Sequence, residues 1–310
     1  MKRALPLERL FFLAGPTGCG KTTLALKLAQ RCQGEIVNAD AFQIYRDMDT
    51  LVAMPSTEER AQVPHHLFGA ISPQEDFDVA HYADRVQSVV TDILARDRLP
   101  IITGGSGLYI KALTHGLSPT PPADAPLRAK CDKLPLGDLI QWLQLIDPEA
   151  AATINLKNRR YITRAIEITL LSGRPSSALK KDWQQNPPPT FHGIVLTRER
   201  EQLYQRINQR TLQMFEQGVV EQVEQLGPCS STAEKAIGLR EIRLLLDGQT
   251  TREETINQIQ QNTRRFAKRQ STWFRREKGF QTICAEPNES TDSLVEKILT
   301  TFLHLTHHHA

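Results

Sequence analysis

A complete phosphate-binding loop near the start of the chain constrains the fold more than any other feature. It matches the pattern G-x-x-x-x-G-K-[ST] through the residues Gly15, Pro16, Thr17, Gly18, Cys19, Gly20, Lys21 and Thr22. The apolar run 10–14 before it is typical of a buried strand, and residues 22–29 after it are typical of a helix. This order would make the loop N–H groups converge on phosphate oxygens at the helix N-terminus. It disfavours the alternative, a glycine-rich turn that binds nothing.

Two side chains of the loop suit an anionic ligand. Lys21 supplies a point charge, and the Thr22 hydroxyl is placed to ligate Mg²⁺. The loop alone does not say which phosphate compound is bound, or whether a phosphoryl group moves.

Composition narrows the class of protein. The 310 residues are 40% hydrophobic and 24% charged, as in an ordinary soluble protein of one large or two modest domains. No apolar run reaches the roughly 18 residues that a membrane span needs. Five scattered cysteines without a C-x-x-C pair favour free thiols in a reducing cytoplasm and argue against a zinc module.

Strand-like and helix-like segments alternate over the first hundred residues. Strands are predicted at 34–40, which ends in the acid Asp40, and at 99–103, and helical spacing extends over 78–95. Such alternation predicts an α/β fold of the P-loop type, a parallel sheet with helices on both faces. Ligands of such sheets lie at the carboxyl ends of strands. We therefore expect Gly15, Asp40 and Gly104, which each follow a strand, to share one crevice.

Two proline-rich breaks, 118–124 and 185–189, divide the chain. The segment between them is helical in pattern, and residues 191–196 resemble a return to the sheet. We therefore predict a catalytic core formed by 1–117 and 190–310, with an inserted helical domain at 118–189. From Glu199 onward the pattern predicts helices throughout.

Two turns carry candidate chemical groups. Asp40 could accept a proton or hold Mg²⁺ through water, or it could simply cap a short helix, and its place in the crevice favours chemistry. Ser106, in a turn with three glycines, could donate to an oxyanion, while a plain tight turn is equally consistent with the local sequence.

Arginine-rich helices form the remaining candidates. Arg206 and Arg210 are four residues apart and share a helix face, so they could clamp a diphosphate, although a solvated face is the alternative. Residues 263–276 place Phe266 and Trp273 seven apart and carry a strong excess of basic residues. This pattern favours a helix packed on the core that faces a nucleic-acid backbone. His65 and His66 lack the neighbours of a metal site.

These segments, in this order, resemble the bacterial tRNA dimethylallyltransferases, also called tRNA isopentenyltransferases. The resemblance covers roughly residues 10–280. It rests on the segments 15–22, 38–46, 48–49, 63–67, 104–113, 164–167, 237–238 with Glu241, and 263–276.

The resemblance implies a reaction. A P-loop-type core would bind dimethylallyl diphosphate and Mg²⁺ at Thr22, and would move the prenyl group to N6 of the adenosine 3′ of a tRNA anticodon. Asp40 would be the general base, with Ser106, Lys21 and Arg210 as further catalytic residues and Arg206 on the diphosphate. The predicted tRNA contacts are Asp40, Ala41, Phe42, Gln43, Ser106, Arg160, Arg164, Arg264, Arg265, Lys268 and Arg269.

The resemblance also implies a cytoplasmic enzyme that acts on the tRNA anticodon stem-loop, does not bind a membrane and works as a monomer. Residues 51–55 depart from the family pattern, because Met54 replaces a lysine. Two other functions remain as alternatives: a P-loop nucleoside or small-molecule kinase, and an RNA-binding NTPase.

Overall fold

The strands of the protein form one sheet in which neighbouring strands run parallel. The computed structural model describes residues 5–117, 120–184 and 190–302. The strands are β1 (Phe11–Ala14), β2 (Gly34–Asn38), β3 (His65–His66), β4 (Leu99–Gly104), β5 (His192–Arg198) and β6 (Gln281–Ala285). Their order across the sheet is β3-β2-β4-β1-β5-β6, so β1 lies between β4 and β5.

Helices and loops connect these strands. The α-helices are α1 (Lys21–Arg31), α2 (Thr57–Gln62), α3 (Val79–Ala95), α4 (Gly107–His115), α5 (Ala125–Lys133), α6 (Leu136–Ile146), α7 (Pro148–Thr153), α8 (Arg159–Ser172), α9 (Ser176–Gln184), α10 (Arg200–Glu216), α11 (Val219–Leu226), α12 (Leu239–Leu246), α13 (Arg252–Phe274) and α14 (Thr291–Thr301). Among the described residues, no helix has the length and apolar character that crossing a membrane would require.

The apolar strands are buried on both faces of the sheet. Successive side chains of a strand point to opposite faces. In β1, Phe11 and Leu13 belong to one hydrophobic cluster, and Phe12 and Ala14 belong to another. Each face therefore needs its own cover of helices, which explains why the strands appear as unbroken apolar runs. The predicted α/β fold with a helix-flanked parallel sheet is confirmed.

The prediction that the chain is helical from Glu199 onward is wrong in one place. Strand β6 pairs with β5 at the edge of the sheet and places Ile194 opposite Gln281. Four of its five residues are exposed or only partly buried. An edge strand with so little buried surface lacks the apolar run by which the other strands are recognised.

The chain divides into two compact units. One unit comprises Met1–Thr114 and Pro189–Ala310 and contains the sheet, and the other comprises His115–Pro188. The second unit has its own hydrophobic core, which includes Leu139, Leu143 and Ile166. Its predicted role as a tRNA-binding domain stays a prediction.

A buried carboxylate organises the smaller unit. Glu167 on α8 is fully buried, and its two carboxylate oxygens accept hydrogen bonds from Nε and Nη2 of Arg128, each at 3.0 Å. It also accepts the backbone N–H of Asp124 and a bond from Arg164. Burial raises the pKa of Glu167, but the bonds from Arg128, Asp124 and Arg164 outweigh that effect and hold the pKa below its ordinary value of 4.5.

Glu167→Gln is expected to destabilise the smaller unit by about 2 kcal/mol. This is less than the cost of breaking a fully buried pair, because both arginines are partly exposed. Since the folded pKa is lowered, the carboxylate stabilises the fold fully above pH 4.5, and this stabilisation is lost as the pH falls below that value. Hydrogen exchange of the α8 amides would measure both effects. Glu149→Gln, which removes an exposed pairing with Lys181, should change exchange little.

Candidate active site

The phosphate-binding loop joins β1 to α1, as predicted, and its backbone leaves no room for larger residues. Gly15, Gly18 and Gly20 all have positive φ angles. A Cβ atom on Gly15 would lie 2.3 Å from the carbonyl oxygen of Leu196 on the neighbouring strand. The glycines are therefore required for the loop to turn tightly between the strand and the helix N-terminus.

Lys21 lies over the loop that carries it. Its Nζ donates to the carbonyl oxygens of Gly15 and Pro16 at 2.8 and 2.9 Å. Lys21 and Thr22 both line a cleft of about 580 Å³. Asp40 and Gly104 line the same cleft. The structure thus brings the phosphate loop, Asp40 and Gly104 to one cleft; Gly15 itself is buried, and the later residues of the loop line the cleft in its place.

Asp40 lies at the end of a hydrogen-bonded turn after β2. Its backbone N–H donates to Asn38 Oδ1 at 2.8 Å, and its own Oδ1 accepts the N–H of Phe42 at 3.0 Å. The buried Tyr82 hydroxyl donates to the carbonyl of Asn38 at 2.9 Å. Burial raises the pKa of Tyr82 well above its ordinary value, so this hydroxyl remains a donor. Asp40 therefore both caps the turn and lines the cleft.

Ser106 supports the Asp40 turn from the neighbouring strand end. Its Oγ accepts the N–H of Ala41 at 2.9 Å, and its own N–H donates to the carbonyl of Ala39 at 3.1 Å. A Cβ atom on Gly104 would lie 2.1 Å from that same carbonyl oxygen, so the two turns can approach only through glycine. Accepting the Ala41 N–H occupies a lone pair of Ser106 and not its proton.

Gln43 and Phe42, which are also predicted to contact the target base, differ in what they contact. The Gln43 amide donates to the carbonyl oxygens of Val52 and Ala53 at 3.2 and 2.8 Å. Phe42 lines a smaller cavity beside the main cleft. Thr17, Asp40 and Arg210 line both cavities. Together with Val52, which also lines both cavities, these residues form the boundary between the phosphate side and the aromatic side of the site.

Arginines from β5 and α10 hold the phosphate loop on its other side. Each arginine donates a hydrogen bond to the loop. Arg210 donates to Thr17 Oγ1 at 2.7 Å. Arg206 donates to the Gly18 carbonyl and Arg198 to the Cys19 carbonyl, both at 2.9 Å. Burial lowers the pKa of Arg210, and the charge of Asp40 opposes this shift. Arginine remains charged despite such shifts.

Gln270 is a residue of the site that the sequence pattern did not predict, although it contacts both glycine-rich turns. This residue of α13 is 5% exposed. Its Oε1 accepts the N–H of Thr17 at 2.8 Å, and its Nε2 donates to the Gly105 carbonyl at 2.9 Å. One signal could have revealed it: Gln270 continues the helical spacing of Ile259, Thr263 and Ala267 on the buried face, where a polar side chain needs partners.

The basic helix α13 differs from its predicted packing. Phe266 and Trp273 are only partly buried, whereas Ala267, Gln270 and Phe274 form the buried face. Phe266 and Trp273 lie beside that face, and Trp273 packs against the hydrophobic core from there. Among the predicted tRNA contacts on this helix, three are exposed: Arg265, Lys268 and Arg269.

Of the other arginines predicted to bind tRNA, two donate hydrogen bonds to other residues of the protein and one is exposed. Arg264 donates to Asn208 at 2.5 Å, between α13 and α10. Arg164 is engaged within the smaller unit by Glu167 and by the Pro121 carbonyl, whereas Arg160 is exposed. Their roles in tRNA binding stay predictions.

The donor set suits a magnesium ion that is held mainly by a substrate. No group of three or more His, Cys, Asp or Glu side chains in the described residues could hold a metal ion. Mg²⁺ is usually held by one or two protein oxygens together with phosphates and water. The Thr22 hydroxyl and the Asp40 carboxylate, which line the same cleft, fit that pattern.

Comparison with known proteins places this site in a family. The family model described as IPP transferase matches residues 43–277. A tRNA dimethylallyltransferase of Akkermansia muciniphila is 42% identical over 288 residues, covering 93% of this chain and 97% of the relative. The enzyme of the same name from Myxococcus xanthus is 42% identical over 278 residues, covering 87% of this chain and 90% of its own.

Solved structures with the same fold include proteins with the same kind of name as these relatives. The full-length tRNA isopentenylpyrophosphate transferase of Bacillus halodurans is similar with a TM-score of 0.70 and 34% identity, covering 96% of this chain and 97% of that one. A eukaryotic dimethylallyltransferase acting on tRNA has the same fold, with a TM-score of 0.81 at 22% identity over 96% of this chain and 80% of its own. The chain therefore belongs to the IPP transferase family.

Proposed function

We propose that this protein transfers a dimethylallyl group from dimethylallyl diphosphate to N6 of the adenosine 3′-adjacent to the anticodon of tRNA, and releases diphosphate. One observation carries the proposal: Asp40, Thr17 and Arg210 stand between a cleft built on the phosphate loop and a cavity lined by Phe42 and Phe266. A base that approaches along the aromatic side chains would meet a prenyl donor held by its diphosphate at this boundary.

The reaction needs a group that takes a proton and groups that stabilise a leaving anion. The N6 amine forms a bond to C1 of the dimethylallyl group as the C1–O bond to diphosphate breaks, and Asp40 accepts the proton that the amine loses. Lys21, the loop amides and Arg210 stabilise the charge that develops on the diphosphate. The target base must leave the stack of the anticodon loop to reach Asp40.

Thr22 would hold Mg²⁺ together with the diphosphate oxygens, and Asp40 lines the same cleft. The ion would supply further neutralisation of the leaving group's charge. Thr22 is the second residue of α1 and follows Lys21. Its hydroxyl oxygen therefore lies at the same helix end as the loop amides.

A direct assay tests the proposed function. The protein is incubated with tRNA and either labelled dimethylallyl diphosphate or labelled ATP, and the adenosines of the product are analysed by mass spectrometry. We expect an N6-dimethylallyl adenosine beside the anticodon only with the prenyl donor. Label that enters tRNA solely from ATP, or RNA-stimulated ATP hydrolysis without a prenylated base, would contradict the proposal.

The exposed cations of α13 are expected to bind tRNA phosphates. Replacing Arg265, Lys268 and Arg269 together by glutamine should weaken tRNA binding more than about tenfold. It should also reduce the slope of log K against log salt by about 2, since each phosphate contact contributes roughly 0.7 on single-stranded RNA. Filter binding over a series of salt concentrations measures both.

A matched variant replaces Lys27, Arg31 and Lys297 by glutamine. These cations lie on α1 and α14, and their removal changes the net charge by the same amount. If both triple variants lowered affinity and salt slope equally, α13 would have no specific role in binding tRNA.

A further inference from the structure

Gln270 is the buried polar side chain that joins the two glycine-rich turns of the site. Both ends of its amide are used, since Oε1 accepts the Thr17 N–H at 2.8 Å and Nε2 donates to the Gly105 carbonyl at 2.9 Å. A Cβ atom on Gly105 would lie 2.2 Å from Nε2, so the amide lies close against this turn. Both turns rely on an outside group because their glycines have no side chains to hold them.

Thr17 connects this amide to the diphosphate side of the site. Its N–H donates to Gln270, and its Oγ1 accepts the Arg210 guanidinium at 2.7 Å. The position of Arg210 therefore depends on Thr17, and the position of Thr17 depends on Gln270. Arg210 carries its charge in a partly buried position beside Asp40, where a small displacement changes what it can stabilise.

The chemistry of this link requires glutamine. The side chain must accept one hydrogen bond and donate another while it is buried and uncharged. A glutamate can accept from Thr17, but its carboxylate cannot donate to the Gly105 carbonyl. A leucine of similar size leaves both the Thr17 N–H and the Gly105 carbonyl without this partner.

We propose that Gln270 is a positioning residue that sets the Arg210 guanidinium for catalysis through Thr17. This inference rests on the proposed function, because it assigns Gln270 to the prenyl-transfer step. The residue acts from the buried face of α13, whereas the cations expected to bind tRNA lie on its exposed face. Losing it should impair turnover and diphosphate binding, and should leave tRNA binding nearly unchanged.

Gln270→Leu is expected to lower kcat about 10- to 100-fold, because misplacement of a charged group by about 1 Å has effects of that size. The KM for tRNA should stay within about twofold of the wild-type value, since the exposed cations are intact. Binding of inorganic diphosphate, measured by calorimetry without tRNA, should weaken about tenfold, because Arg210 is no longer held in position through Thr17. The control Gln258→Leu is exposed on the same helix, about 18 Å away along its axis, and should alter none of these values.

Gln270→Glu provides a readout that loss of stability alone would not produce. Burial raises the pKa of such a carboxyl group, and its protonated form can again donate to the Gly105 carbonyl. The ratio of variant to wild-type kcat should therefore rise as the pH is lowered from about 8 to about 6. The ratio for Gln270→Leu should stay flat over the same pH range, because leucine has no group that titrates.

The outcomes separate the two proposals. A wild-type protein that does not prenylate tRNA contradicts the proposed function, and the diphosphate measurement still tests the Gln270 link. An active wild type together with a Gln270→Leu variant whose kcat and diphosphate affinity are unchanged overturns the positioning role. If the leucine variant does not fold, the glutamate variant decides: a flat pH ratio overturns the role, and a ratio that rises at low pH supports it.

Discussion

Asp40→Asn is expected to lower kcat for prenyl transfer at least about 100-fold while tRNA binding is largely kept. Asparagine cannot accept the proton that the N6 amine loses. Its side-chain oxygen can still accept the Phe42 N–H, which Asp40 Oδ1 accepts at 3.0 Å, so the turn after β2 should be preserved. Single-turnover prenylation with saturating tRNA would report the chemical step, and filter binding would report the affinity.

Asp47→Asn is the matched control for this variant. Asp47 is exposed and has a left-handed backbone with φ of 63°, which asparagine tolerates well. It removes the same charge from the same segment and should leave turnover within about twofold of wild type. If Asp40→Asn also kept wild-type turnover, another group would have to accept the proton and Asp40 would serve only as a cap.

Arg210→Gln is expected to lower kcat about 100- to 1,000-fold, because Arg210 is a partly buried cation beside the phosphate loop. Glutamine removes the charge and is too short by two bonds to place a donor where Arg210 Nη2 contacts Thr17 Oγ1, so the variant loses both the charge and this contact. Arg206→Gln should chiefly raise the KM for the prenyl donor, since Arg206 is exposed and contacts the loop through the Gly18 carbonyl. Steady-state kinetics with varied donor would separate the two arginines.

Arg31→Gln supplies the control for the loss of one cation. It is exposed at the far end of α1, about 15 Å along the helix from Lys21, and pairs with Glu296. We expect no change in kcat or KM. A larger loss of kcat from Arg206→Gln than from Arg210→Gln would reverse the assignment of the two arginines.

Much of the site was predictable because its parts are local in sequence. The phosphate loop, the strand-end Asp40 and the glycine turn at Gly104 each follow an apolar strand, and parallel strands end at one edge of a sheet. Their meeting at one cleft therefore followed from the order of elements. Arg210 was a candidate because its spacing from Arg206 places both on one face of a helix.

Gln270 and β6 were not predictable in the same way. Gln270 lies 253 residues from Thr17, and its identity as a link depends on partners that only the folded chain supplies. Strand β6 has few buried residues, and its pairing with β5 supplies the stabilisation that its own pattern does not show. In both cases the deciding interaction is long-range, and a local sequence window contains only one of its two partners.

The sequence by itself determined the phosphate loop, the alternation that forms a parallel sheet and the segments by which the family is recognised. These follow from backbone geometry and hydrophobic spacing, which act over a few residues. Only the tertiary structure decided that Gln270 joins Thr17 to Gly105, that Thr17 holds Arg210, and which face of α13 is buried. The physical reason is that a buried polar group is stable only where its partners are, and packing brings those partners together.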